Sequence, residues 1–188
     1  MEGSLTKDGK ASLLQLAAPG SDTVYIFDIQ ACPDILDKKQ PLGTMLAGAA
    51  TLKVMHDCRA DADALRGQFG VLLQNVWDTQ SAEMVLTGST SRISLNDALQ
   101  KHLGKKNEHK DSVQHRPGLW EKRPLAKKLL DYAAADVRDC IDLFVAQEGR
   151  MKPAQKIATK AKSVEQVNAR LQSGATAPKK SAAEIKRL

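Results

Sequence analysis

The chain reads as an α/β protein with a mixed sheet, on three observations. Two apolar, partly β-branched runs, residues 11–18 and 23–29, flank Pro19-Gly20-Ser21-Asp22, which is the pattern of an antiparallel hairpin. Short apolar stretches then alternate with segments of helical spacing, as in strand–helix–strand units. At 188 residues, 42% hydrophobic and 27% charged, the chain has the composition of a globular domain with a core of its own and an extension.

After the hairpin and a polar stretch at 30–40, a helix is predicted over 41–49. Pro41 sits in its first turn, where a missing N–H costs nothing. Residues 51–56 form a short apolar strand. Residues 60–69 place Ala64, Leu65 and Phe69 at helical spacing and stop at Gly70. Residues 71–77 are strand-like, and Asp78 is predicted to cap a helix running through Ala82 and Met84 to Leu86. An amphipathic helix over 94–103 ends at Gly104, and 105–121 is polar and aperiodic. Pro124 opens a long helix whose apolar stripe extends through Val137, Cys140, Ile141, Leu143 and Phe144. One more short helix is predicted over 163–171, with linker at 174–180.

Charge divides the chain into a domain at 1–149 and a basic tail at 150–188, the tail expected to be partly helical or disordered. Of the net charge of +6, the tail carries +8, with ten Lys/Arg against Glu165 and Glu184, so the body is slightly acidic. Residues 101–128 form a second basic segment, with nine Lys/Arg against three Asp/Glu. Such basic segments point to a polyanion, RNA or single-stranded DNA, as partner. No apolar run is long enough to span a bilayer, and the polar opening is not a signal peptide. Cys32, Cys58 and Cys140 are scattered, as expected of reduced thiols in an intracellular protein, and none has a close partner of the kind zinc requires.

The chemistry-bearing residues are carboxylates at element ends. Glu2 precedes the hairpin, Asp61 follows the strand ending at His56, and Asp136 lies four residues beyond Tyr132, so on a helix the carboxylate and phenol share a face. Oxygen-only clusters drawn from distant segments are the usual way to hold Mg²⁺ or Mn²⁺. Taken alone, the Tyr132–Asp136 spacing equally describes a surface tyrosine beside a solvated aspartate.

Five motifs stand in the order and spacing of a known family. They are Ser12 to Ala17 followed by Phe27-Asp28; His56 with Asp61 and Leu65; Asp78-Thr79-Gln80 with Ala82; Arg123-Pro124-Leu125; and Tyr132 to Val137. Together they resemble the DEDDy 3′-5′ exonucleases, the ribonuclease D and Werner-type exonuclease domain, over residues 2 to about 147. His56-Asp57-Cys58-Arg59 looks closest to the branch containing Egalitarian and the piRNA-pathway exonuclease-domain protein. The resemblance implies a ribonuclease H-like fold. It also implies two divalent cations, Mg²⁺ or Mn²⁺, on Glu2, Asp61 and Asp136, Tyr132 assisting the attacking water, and nucleotides released from a 3′ end.

Asp57 and Asp63 compete with Asp61 for the second-motif role and fit the interval less well. His56, Lys110, Arg123 and Trp120 are candidate nucleic-acid contacts; Trp120 would either stack on a base or anchor its loop. A homodimer or a protein partner is compatible with the sequence. One feature departs from the family. The aspartate of its Asp-x-Glu-Gly motif, at the end of the first, central strand, would stand one residue ahead of Met1. The expectation is weak or no hydrolysis by residues 1–188, rescue by an upstream strand ending in Asp, and, as the alternative function, a nuclease-like module that binds RNA or protein without cutting.

Overall fold

The structure is a computed structural model that describes residues 1–110 and 118–173. The expected hairpin is strands β2 (Ala11–Ala17) and β3 (Val24–Asp28), paired antiparallel from Leu13 opposite Asp28 to Ala17 opposite Val24. A two-residue strand β1 (Glu2–Gly3) pairs antiparallel with the start of β2, Glu2 opposite Leu13 and Gly3 opposite Ala11. Successive side chains of a strand leave opposite faces of its sheet, and here both faces are covered. Leu13 packs against Trp120, Leu129, Tyr132 and Ala133, whereas Leu14 joins Ile29, Leu36, Leu46 and Leu65 in the largest core cluster.

After a 3₁₀ turn and helix α1 (Pro41–Ala47), strand β4 (Lys53–Met55) leads into α2 (Arg59–Phe69), which Gly70 closes at φ 67°. Strand β5 (Val76–Asp78) returns parallel to β4, Val54 opposite Trp77. Helices α3 (Thr79–Thr87) and α4 (Leu95–Leu103) follow, with Asp78 capping the first through the Ser81 amide at 2.7 Å and a Ser94–Asp97 capping box starting the second.

The expected mix of strand directions is present in two small sheets, the antiparallel β1–β2–β3 and the parallel β4–β5. Three expectations are corrected. The strand expected over 71–77 narrows to Val76–Asp78; the Val71 amide bonds back to the Leu65 carbonyl, which turns this stretch into a helix exit. The long late helix breaks at Asp139 into α5 (Lys127–Arg138) and α6 (Cys140–Glu148). Its apolar stripe serves different clusters: Leu129 and Tyr132 face β2, while Leu143 packs on Ala98 and Leu99.

The short helix expected over 163–171 is the 21-residue α7 (Pro153–Ser173), docked on α2, α3 and β5. Its buried stripe is Thr159, Ser163 and Val167, too polar for an apolar-periodicity reading to find. Ser163 donates to the Thr159 carbonyl and accepts from the Asp78 amide, so the stripe is hydrogen-bonded rather than simply apolar. The linker expected at 174–180 lies outside the described residues, and no helix among those described is long and apolar enough to cross a membrane.

Candidate active site

Glu2, Asp61, Tyr132 and Asp136 all line one groove of about 730 Å³ between β2 and β4. Strand β1 brings Glu2, the first turn of α2 brings Asp61, and α5 carries the other two. The Tyr132 hydroxyl hydrogen-bonds Asp136, so the i, i+4 relation read from the sequence is realised, but the ring is not at the surface. It is 5% exposed and packs at 5.9 Å on Trp120. Ala133 and Ala135 are buried, and their small size lets α5 sit close to the core. Burial, Asp136 and Glu2 together push the phenol well above the ordinary tyrosine range.

The electrostatics of the cluster are those of crowded negative charge. Burial, reinforced by Asp136 and Asp61, pushes the Glu2 carboxyl up to about 7, the Met1 α-ammonium acting in the opposite sense. That ammonium donates to Asp61 Oδ1 at 2.8 Å. Burial works against the ammonium, yet Asp61 in contact, with Glu2 and Asp136 beside it, keeps it charged and raises its pKa. The carboxylates thus converge on a cation. Among the described residues no three His, Cys, Asp or Glu side chains stand close enough to hold a metal ion. Asp61 is engaged by the ammonium, and Asp136 Oδ1 accepts from Asn107 Nδ2 at 2.7 Å. The donor set is of the hard-oxygen kind that suits Mg²⁺ or Mn²⁺.

Asn107 is a residue that reading the sequence missed. It is 3% exposed, and its Nδ2 bonds both Asp136 and the Tyr132 carbonyl, while Asn96 exchanges hydrogen bonds with its backbone. It lies in the polar, aperiodic stretch after Gly104, where spacing carries no signal.

The competing aspartates have structural partners. Asp57, at φ 53°, takes a bidentate bond from Arg59 and a further one from Arg92, and Asp63 accepts from the Lys7 amide and Arg170. Asp131 pairs with Lys127, and Asp139 with Lys105.

The candidate nucleic-acid contacts separate. Trp120 is 6% exposed inside the Leu13 cluster, in keeping with the second of its two readings, an anchor for its loop. Arg123 is likewise committed, gripping both oxygens of Asp28 and the Trp120 carbonyl. Both ring nitrogens of His56 are engaged, with Thr79 Oγ1 and the Ile93 carbonyl, and burial lowers its pKa, favouring the neutral ring. Lys110 lines the groove, and among the described residues its ammonium makes no ion pair. His115 lies outside the described residues.

This arrangement, acidic residues and a tyrosine on a strand and two helices, has the architecture of ribonuclease D-type nucleases, whose fold is ribonuclease H-like. A solved structure of Trypanosoma brucei RNase D in complex with RNA U12 superposes with a TM-score of 0.74 at 27% identity, covering 85% of this chain and 56% of that one. Brucella melitensis NrnC with bound Mg²⁺ gives a TM-score of 0.75 over 96% of this chain and 87% of that one, at 21% identity, a likeness of fold.

The family model for the 3′-5′ exonuclease matches residues 2–146, and the chain belongs to that family. Among curated relatives, the Ribonuclease D of Nitrobacter hamburgensis is 34% identical over 140 residues, 74% of this chain and 34% of that protein. The human piRNA biogenesis protein EXD1 is 32% identical over 160 residues, 76% of this chain and 30% of that protein. The chain therefore spans about a third of the length of these relatives.

Proposed function

We propose that residues 2–146 form a metal-dependent 3′-5′ exonuclease domain that hydrolyses terminal phosphodiester bonds of RNA or single-stranded DNA. The observation that carries this reading is the convergence of Glu2, Asp61 and Asp136 in one groove, beside a buried Tyr132, in a chain of this family. Glu2, Asp61 and Asp136 would hold two divalent cations, which when bound lower the pKa of water and stabilise the leaving oxygen. Tyr132, fixed by Trp120 and by its bond to Asp136, orients the attacking water. Asn107 holds the Asp136 carboxylate in place, and Lys110 supplies positive charge to a phosphate at the groove. The basic segment at 150–188 adds affinity for the backbone without reading sequence.

A second reading, a nuclease-like module that binds RNA or a protein without cutting, is favoured by one observation: Asp61 and Asp136 each have an oxygen already engaged within the protein. One assay separates the two. A 3′-labelled RNA oligonucleotide is incubated with the 1–188 chain and with Asp136→Ala in Mg²⁺ or Mn²⁺. Mononucleotide release by the parent and none by the variant supports the enzyme. Equal RNA binding by both, with no release, supports the module.

A further inference from the structure

Helix α7 carries an apolar pattern on two faces. One face, with Thr159, Ser163 and Val167, is buried on the body of the domain. The face opposite to it presents Ile157 and Val164, 70% and 59% exposed, with the exposed Ala154 and Ala161 in line with them. A single exposed isoleucine means little, because every protein surface retains apolar side chains. Spacing makes the difference here. Ala154, Ile157, Ala161, Val164 and Asn168 follow one another at intervals of three, four, three and four residues, which is the alternation of a coiled-coil seam. In heptad terms Ala154, Ala161 and Asn168 take position a, and Ile157 and Val164 take position d. The face that docks on the body uses none of them.

The charges beside the seam agree with it. Lys160 falls at position g and Glu165 at position e; both are exposed, and neither makes an ion pair among the described residues. Five residues apart, they stand on different sides of their own helix and cannot meet there. In two parallel helices the g residue of one lies beside the e residue five positions on in the other, so Lys160 of each copy meets Glu165 of its mate. An antiparallel pair sets g beside g and e beside e, and does not join them. Asn168 points the same way. Its Nδ2 donates to the Val164 carbonyl at 3.0 Å, which leaves its side-chain oxygen to accept from the same residue of a mate. A lone asparagine at position a fixes register and partner number at some cost in stability.

We propose that the outer face of α7 is a self-association surface, which pairs in parallel with α7 of a second copy of this chain. Alanine at position a lets the two helices approach closely, so that Ile157 and Val164 pack against their counterparts. The bodies then lie on the outer sides of the pair, because each α7 docks through the opposite face. No seam residue lines the groove of the candidate site, so each copy keeps its own site, and the pairing does not rest on the exonuclease reading. From Ala154 to Asn168 the seam is roughly 21 Å long at 1.5 Å per residue. A contact of that size is small, and the pair is accordingly weak, with a dissociation constant on the order of 50 µM.

The test is sedimentation equilibrium of the 1–188 chain at low salt, from ~5 to ~500 µM, about tenfold to either side of that constant. The mass should rise from 20.4 kDa towards twice that value. Ile157→Asp should abolish the rise, and Lys160→Glu should weaken association roughly tenfold by setting like charges together at both ends of the symmetric pair. Lys160→Glu combined with Glu165→Lys should restore it. All three positions are exposed, so thermal unfolding of the variants should match the parent. A mass that stays at 20.4 kDa throughout would overturn the proposal and leave the face to a helix of another protein. Association that survives Ile157→Asp, a mass of three copies or more, or a charge reversal that the double variant does not rescue would overturn it equally. None of these readings depends on nuclease activity.

Discussion

Two sets of carboxylates, the buried Asp78 and Glu83 and the half-buried Glu2, Asp61 and Asp136 of the groove, are treated oppositely by the fold. On the side covered by α3 and α7, Asp78 is wholly buried and spends its oxygens on the Cys58 and Ser81 amides, both at 2.7 Å. Nearby Glu83 pairs with Lys101 and His102 and accepts from Gln147. On the groove side, Glu2, Asp61 and Asp136 repel one another, and among the described residues it is the Met1 ammonium that contacts Asp61. A carboxylate supplied with backbone donors and lysines holds a structure together. One left among its like is at ease only with a cation, which a bound metal ion would supply.

The largest effect that sharpens this contrast is on the satisfied side. Asp78→Ala strands two buried amides and removes a helix cap, and should cost roughly 4 kcal/mol in denaturant unfolding. A loss under 1 kcal/mol would mean that the two sets do not differ.

Glu2→Gln should act in the other direction. The Glu2 carboxyl titrates at about 7 in the folded chain and in the ordinary carboxylate range when unfolded. It is protonated in both states at low pH. As pH rises from about 4.5 to 7 the unfolded chain ionises first, so stability falls across that window and then levels. The glutamine variant lacks this fall and should be more stable at pH 8 by up to about 3 kcal/mol. Thermal unfolding from pH 4 to 8 checks the sign; identical profiles for parent and variant would break the comparison.

A smaller effect comes from the support of Asp136. Asn107→Ala leaves the ligating residues unchanged but frees the carboxylate, and should weaken Mn²⁺ affinity roughly tenfold. Titration calorimetry measures this, and unchanged affinity would reduce Asn107 to a loop anchor.

Much of the fold was legible because its signals are local. Pro19-Gly20 marked the hairpin, Gly70 and Gly104 closed helices where expected, and Asp78 capped the helix that follows it. That the candidate site residues share one groove was legible only through family motifs, since Glu2 and Asp136 are 134 positions apart in sequence and no spacing rule joins them. What stayed hidden depends on tertiary context. The break at Asp139 follows from one apolar stripe serving different clusters, and α7 docks through Thr159 and Ser163, whose burial is favourable only because Asp78 and the helix backbone bond them. Arg123 was a candidate nucleic-acid contact and is tied to Asp28, and Trp120, for which a base contact and a loop anchor were both open, is packed inside, a distinction that only burial and partners can draw.

The central claim, that the groove carboxylates form a cation site, is tested most directly by Mn²⁺ binding, followed by electron paramagnetic resonance on the full 1–188 chain at pH 8. The account predicts binding that is lost in Asp61→Asn and in Asp136→Asn, persists in Asp57→Asn, and weakens as pH falls below about 7 and Glu2 takes up its proton. Binding that survives both Asp61→Asn and Asp136→Asn, or that Asp57→Asn abolishes, would contradict it.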